Sequence, residues 1–223
     1  MPHSTIVFDL DGTLVDTAPD LIATLNAVLA REDHGAVPYE EARTMIGGGV
    51  RHMLTRALAR HGVAVDPPEL DRLFADFIPH YRAHIADHSR PFPGLAQCLD
   101  RLAAQGDRFA VCTNKLEQLS VLLLEKLGLA GRFAAICGQD TFGMPKPNPE
   151  FLRRTIARAG GSLQNAVMVG DSPADVTTAR AAGVPVIAVD FGYCDVPVLL
   201  LKADWVIGHF DELPGAVASL LGR

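Results

Sequence analysis

The chain has 223 residues, 48% of them apolar and 21% charged, with a formal net charge of −6. That length can bury a substantial core, either as one large domain or as a core with a smaller insert, and the composition is that of a folded protein. The acidic balance argues against nucleic acid as a partner, because phosphate backbones are held by clustered Lys and Arg, and no run approaches the roughly 20 apolar residues of a membrane-spanning helix.

The first element is the β-branched run "STIVFDL", which ends in "DLDGTLVD", residues 9 to 16. The start has neither a charged n-region nor a long apolar stretch, and a functional Asp9 would leave no room for a removable leader. Residues 17 to 89 then carry helical spacing in "PDLIATLNAVLARE", "YEEARTMI", "GVRHMLTRALARHG" and "PPELDRLFADFIPHYRAHIADH". A helical insert is expected there, with hinges near "VDTAPD" and "SRPFPG"; it either thickens the fold or caps a site.

Within that insert, "MIGGGV" places Gly48 and Gly49 before a helix whose second residue is Arg51. Such a helix start presents backbone N–H groups to an anion, although a plain hinge explains it equally well. His80, His84 and His88 recur every fourth residue, which predicts one solvated helix face, with Pro79 starting or kinking the helix.

After the insert, the strand-like runs "RFAVCTN", "NAVMVGD", "VPVIAVD" and "ADWVIG" alternate with helical segments such as "LAQCLDRLAAQG" and "ADVTTARAAG". This order indicates an α/β fold: a Rossmann-like parallel sheet with helices on both faces and an inserted α-helical cap. The expected division is an α/β core of residues 1–15 and 91–223 with the cap at 16–90. Cysteines at 98, 112, 137 and 194 form no tight cluster, which fits reduced, packed thiols of a cytoplasmic protein.

Ligands of an open parallel sheet bind beyond the carboxyl ends of its strands. Those ends supply Asp9 and Asp11, then Thr113 and Asn114, then Asp171 with Asp175 one helical turn later. Residues two apart on an extended segment point the same way, so Asp9 and Asp11 can share a site, with Gly12 turning the chain back. Adjacent carboxylates repel, and a cation or a proton relieves the repulsion.

Both remedies suit phosphoryl transfer, in which one carboxylate attacks phosphorus and the other moves protons. A phosphate dianion approaching such a cluster needs positive charge, since like unit charges about 4 Å apart cost about 4 kcal/mol at an effective dielectric of 20. Mg²⁺ takes oxygen ligands and combines carboxylates with substrate phosphate, so Asp9 and Asp171 are its expected ligands. Lys146, between two prolines in "GMPKPNPE", is a candidate second cation, and Thr113 a hydroxyl donor. Taken singly, each motif has an ordinary explanation: an acidic turn at "DG", a helix cap at Thr113 or "GDSPAD", a surface charge at Lys146.

Together, "DLDGTLVD", "VCTNK", "PKPNP" and "VGDSPADV" resemble the motifs of the haloacid dehalogenase-like hydrolases, in particular those with a helical cap after the first strand. The resemblance implies Asp9 as nucleophile, Asp11 as general acid and base, and Thr113 with Lys146 as phosphate-binding groups. It implies Mg²⁺ held by Asp9, the Asp11 backbone carbonyl and Asp171, with Asp175 nearby as a further ligand or a support for the others. "LVDTAPDL", "TNK" and "KPNP" look most like the phosphoglycolate phosphatases, which makes 2-phosphoglycolate the expected substrate among small phosphorylated metabolites. Asn114, Gly48, Gly49 and Arg51 are the candidate substrate contacts.

Rival readings remain at this point. A dehalogenase needs no Asp at position 11, and a phosphonate hydrolase of this type needs a cap lysine, whereas the first lysine is Lys115. A sugar-phosphate mutase or sugar phosphatase shares the core. A phosphoryl-receiver domain shares the Asp, Mg²⁺, Thr and Lys but needs no cap of some seventy residues. The chain is expected to be a monomer or a homodimer.

Overall fold

Residues 4–194 and 196–223 are described by the computed structural model; Asp195, in "FGYCDV", lies outside them. Strand β1 (Thr5–Phe8) leads through a turn to the two-residue β2 (Val15–Asp16). Four helices follow, α1 (Ala18–Arg31), α2 (Tyr39–Arg43), α3 (Val50–Arg60) and α4 (Pro67–Ala83), and β3 (Arg90–Pro91) brings the chain back. The remainder alternates: α5 (Leu95–Ala104), β4 (Arg108–Cys112), α6 (Glu117–Lys126), β5 (Ala135–Cys137), α7 (Pro149–Arg158), β6 (Ala166–Gly170), α8 (Pro173–Ala182), β7 (Val186–Val189), β8 (Trp205–Ile207) and α9 (Leu213–Leu221).

Six strands form one parallel sheet in the order β5-β4-β1-β6-β7-β8. Because successive strand residues face opposite sides, the sheet divides its apolar side chains between two cores. Ile6, Phe8, Val111 and Val169 pack with Leu99 and Leu102 of α5 and Leu213 and Val217 of α9. Val7, Ala110, Cys112 and Met168 pack with Phe151 and Ile156 of α7 and Val176 of α8. Continuous apolar strands are what a sheet covered on both faces requires.

Strand β1 lies inside the sheet, with Phe8 in register with Val111 of β4 and Val169 of β6. The residues that follow these three, Asp9, Cys112 and Gly170, therefore end side by side. This register turns three distant sequence motifs into neighbours.

The helices between β2 and β3 share the first core rather than forming a separate one: Leu21, Leu25, Met53, Leu54, Phe77 and Tyr81 all join it. Helix α4 shows why the sequence folds this way. Asp66 caps its start by accepting from the Glu69 N–H at 2.9 Å, prolines occupy its first turn, and Leu73, Phe77 and Tyr81 bury one face at fourfold spacing. Burial of each such large apolar side chain contributes roughly 1.5–3 kcal/mol.

The segments expected to act as hinges pair as an antiparallel ribbon, Val15 opposite Pro91 and Asp16 opposite Arg90. The ribbon and β5 went unread in the sequence because strands of two or three residues show no period. The histidine expectation is corrected. Helix α4 starts at Pro67, runs through Pro79 and stops at Ala83, so His84 caps it and His88 lies beyond. The His80 and His84 rings lie 4.9 Å apart, tilted by 44°, and His84 pairs with Asp87 at 2.8 Å, while the His88 N–H turns inward to Asp20. Among the described residues no helix is long and apolar enough to cross a membrane, and no cysteine is disulfide-bonded.

Candidate active site

The site grows from the end of β1. Asp9 is 3% exposed; its Oδ1 accepts from the Leu10 N–H at 2.7 Å and its Oδ2 lies 2.9 Å from Lys146 Nζ. The chain then reverses, with the Leu14 and Val15 N–H groups both donating to the Leu10 carbonyl. Gly12 makes this possible with a φ of +81°, and a Cβ there would stand 2.5 Å from Asp171 Oδ2. Conformation and space both demand glycine.

At the end of β6, Asp171 accepts from Thr13 Oγ1 at 2.9 Å and from the Tyr193 N–H at 2.8 Å. Ser172 starts α8 as half of a capping box, its N–H and hydroxyl both donating to Asp175 Oδ2. The other Asp175 oxygen accepts from Lys146 Nζ at 2.6 Å. Gly170 leaves the room this needs, since a Cβ there would fall 2.3 Å from Asp175 Cγ. Oxygens of Asp9, Asp171 and Asp175 lie within 4.8 Å of one another, and all three residues are buried.

Three buried carboxylates around one ammonium leave negative charge in excess. Burial pushes the Asp9 carboxyl above its ordinary 3.8, with Lys146 pulling it back and Asp175 adding to the rise. Burial likewise raises Asp171, and the charges of Asp9 and Asp175 raise it further. Burial would lower the Lys146 ammonium, but Asp175 and Asp9 more than reverse this and hold it protonated.

The end of β4 brings in Thr113, 2% exposed. Asn114, expected to contact substrate, lines the cavity and is also tied to protein: its Oδ1 accepts from the Lys146 N–H at 2.9 Å, and its Nδ2 donates to the carbonyls of Lys146 and Gly47. It fixes the lysine loop and touches the insert. Lys115 donates to Asp11 Oδ1 and Oδ2 at 2.8 and 3.1 Å and to the Tyr81 hydroxyl at 2.9 Å. The Thr17 hydroxyl is a further donor to Asp11. The Asp11 carboxylate thus stands apart from the three-carboxylate cluster, and only its backbone carbonyl is left for the metal role expected of it.

Asp9, Asp11, Thr113 and Lys115 form one wall of a cavity that the insert closes with Gly49, Tyr81 and apolar side chains. Gly48 faces a separate cleft beside His52 and Asp171. Arg51 is not brought to the cavity: it pairs with Asp71 and its guanidinium lies over the Phe74 ring at 4.3 Å, half-exposed. A charged side chain on an exposed helix turn finds a partner on the neighbouring helix more readily than it enters an apolar wall.

Sequence reasoning missed Lys115, Tyr81, Thr13 and Tyr193. Lys115 directly follows Thr113 and Asn114, so its place beside a strand end was a usable signal; a buried tyrosine needing a hydroxyl partner is a weaker one. Tyr193 had no local signal. Its hydroxyl donates to Asp16 at 2.6 Å and accepts from the Thr17 and Ala18 N–H groups. Asp16, expected only to mark the exit into the insert, is thereby joined through Tyr193 to Asp171. Asp20 joins α1 to the segment before β3 by accepting from the N–H groups of His88 and Ser89 and from the Ser89 hydroxyl.

Known proteins share this arrangement. The family described as haloacid dehalogenase-like hydrolase matches residues 6–189. A phosphoglycolate phosphatase of Mesorhizobium japonicum is 48% identical over 100% of this chain and 98% of its own length, and one of Agrobacterium fabrum is 47% identical over 96% and 92%. A crystal structure of a predicted phosphoglycolate phosphatase from Haemophilus somnus superposes with a TM-score of 0.88 at 27% identity, covering 96% of this chain and 97% of that one. With its motifs gathered at the carboxyl ends of the strands and the family matched across most of its length, the chain belongs to the haloacid dehalogenase-like hydrolases.

Proposed function

We propose that the protein is a Mg²⁺-dependent phosphomonoester hydrolase that acts on 2-phosphoglycolate, through a phosphoryl-Asp9 intermediate, in the cytoplasm. The observation that carries the chemistry is that Asp9 and Asp175 both engage Lys146 with Asp171 clustered beside them, while Asp9 shares a cavity wall with Asp11. The substrate reading is supported by relatives of that name, which match nearly the whole chain.

The donor set fits Mg²⁺. One ammonium does not balance three buried carboxylates, and the upward shifts of Asp9 and Asp171 mark the missing positive charge. Asp9, Asp171 and the Asp11 carbonyl would hold the ion, while Asp175, with both oxygens engaged by Lys146 and Ser172, orients the lysine. When bound, Mg²⁺ supplies charge that draws in the substrate phosphate and polarises its oxygens.

Lys146 and the Thr113 hydroxyl steady the phosphoryl group beside Asp9. An Asp9 oxygen attacks phosphorus, the bond from phosphorus to the ester oxygen breaks, and Asp11 gives that oxygen its proton, releasing glycolate. Asp11 then takes a proton from water, which attacks the phosphoryl-aspartate, frees inorganic phosphate and restores Asp9. The insert covers this sequence and limits the water that reaches it.

A kinetic screen of phosphorylated metabolites with Mg²⁺, ranked by kcat/KM, tests the reading. Phosphoglycolate should lead. A hexose phosphate leading, or conversion to an isomeric phosphate without phosphate release, would replace it with a sugar phosphatase or a mutase.

A further inference from the structure

We infer that Lys115, with Tyr81, recognises a second anionic group on the substrate and so selects phosphate esters that carry a carboxylate over those with a neutral end. The inference rests on the substrate reading above and assigns the residues that enforce it.

Among the side chains lining the cavity, Lys115 is the one cation. Its ammonium crosses from the core to the insert, bonded to Asp11 and Tyr81 and lying 4.6 Å from the Tyr81 ring centroid, with its side chain 4% exposed. A charge so buried is tolerated only when paired, and Asp11 supplies the pairing. The Tyr81 hydroxyl, also fully buried, accepts from Lys115, and no acceptor for its own proton is found among the described residues. A buried hydroxyl proton without an acceptor is costly. Ammonium and hydroxyl together offer the two donors that a carboxylate takes well.

Among the described residues no other cation lines the cavity. The insert contains no lysine, Arg51 pairs outward with Asp71, Arg43 donates to the carbonyls of Phe191 and Gly192, and Lys146 is held between Asp9 and Asp175. A carboxylate entering with a phosphate bound at Asp9 meets Lys115 and Tyr81, and takes over the ammonium that Asp11 otherwise holds. An ester with a neutral end leaves that ammonium on Asp11.

The test compares 2-phosphoglycolate with 2-hydroxyethyl phosphate, which replaces the carboxylate by a neutral alcohol, and reads the ratio of their kcat/KM values. In Lys115→Met the ratio should fall about 100-fold, the scale expected when one partner of a buried charge pair is lost. A ratio within about threefold of the wild-type value, both substrates falling in parallel, would mean that Lys115 only supports Asp11 and would overturn the inference. If this variant lacks a cooperative melt, Tyr81→Phe carries the test, with a fall of about tenfold expected and an unchanged ratio overturning it. A wild-type protein that prefers the alcohol would instead sink the substrate reading itself, before any variant is compared.

Discussion

The two walls of the cavity are built on opposite principles. The core wall carries Asp9, Asp11 and Lys115, with Asp171 and Asp175 clustered beside Asp9, and each carboxylate has a named partner: Asp9 and Asp175 on Lys146, Asp11 on Lys115, Asp171 on Thr13 and Tyr193. The insert wall is almost wholly apolar, with Ile46, Val50, Met53 and Phe74 around the single polar tip of Tyr81. The reacting groups thus lie on the core piece of chain, while the pair inferred to select substrate, Lys115 and Tyr81, takes one residue from each wall. The charged wall rests on a rigid parallel sheet, and the apolar wall is carried on a two-strand ribbon.

The comparison makes unequal demands on substitutions. Asp9→Asn removes the nucleophile but also relieves repulsion among the carboxylates, so kcat for phosphoglycolate should fall about 10⁴-fold or more while the melting temperature holds or rises. Steady-state kinetics with a thermal melt checks both, and full activity would remove Asp9 from the mechanism.

Lys146→Met leaves Asp9 and Asp175 buried without their cation. Loss of one partner of such a pair costs about 3–5 kcal/mol, which denaturant unfolding of the metal-free protein should register. A loss below about 1 kcal/mol would show that the core wall is not held by this ammonium.

A smaller effect concerns pH. The Asp171 carboxyl is raised above 3.8 by burial, then by Asp9 and Asp175, so the folded metal-free protein binds that proton more tightly than the unfolded chain. Its stability contribution is full below 3.8 and is lost as pH rises through the folded-state value. Asp171→Asn cannot lose this proton, so its melting temperature relative to wild type should climb between about pH 4.5 and 8 in the presence of a chelator, whatever the constant offset. A difference independent of pH would contradict the charge excess.

Smallest of all, Arg51→Ala removes an outward-facing pair worth about 0.2–1 kcal/mol and should change kcat/KM less than about twofold by the same argument. A tenfold loss would bring Arg51 back to the substrate.

The core wall was largely legible in the chain because each of its groups sits where an apolar run stops, and a parallel sheet places its ligands at those ends. Asp9, Asp11, Thr113, Lys146, Asp171 and Asp175 all follow that rule or lie beside a stiff proline loop. The insert wall was not legible. Gly49 reaches the cavity while Arg51, two residues on, does not, since a helix turns by about 100° per residue and the motif does not say which side faces inward. Asn114 lines the cavity from the position expected of it, and its bonds to the Lys146 loop were not legible, because an amide that can bond both ways finds backbone partners that only the fold brings near.

The sequence alone determined the alternation of strand and helix, the break at residues 17 to 89 and the carboxylate chemistry, all of which are local patterns of apolar spacing and residue type. Only the tertiary structure decided that Lys115 meets Tyr81 across the cavity and that Tyr193 ties Asp16 to Asp171. These contacts join residues separated by 34, 22 and 177 positions. No local propensity encodes such pairs; two arise when the insert packs on the core along a shared apolar face, and the Tyr193–Asp171 contact arises when the loop after β7 meets the end of β6.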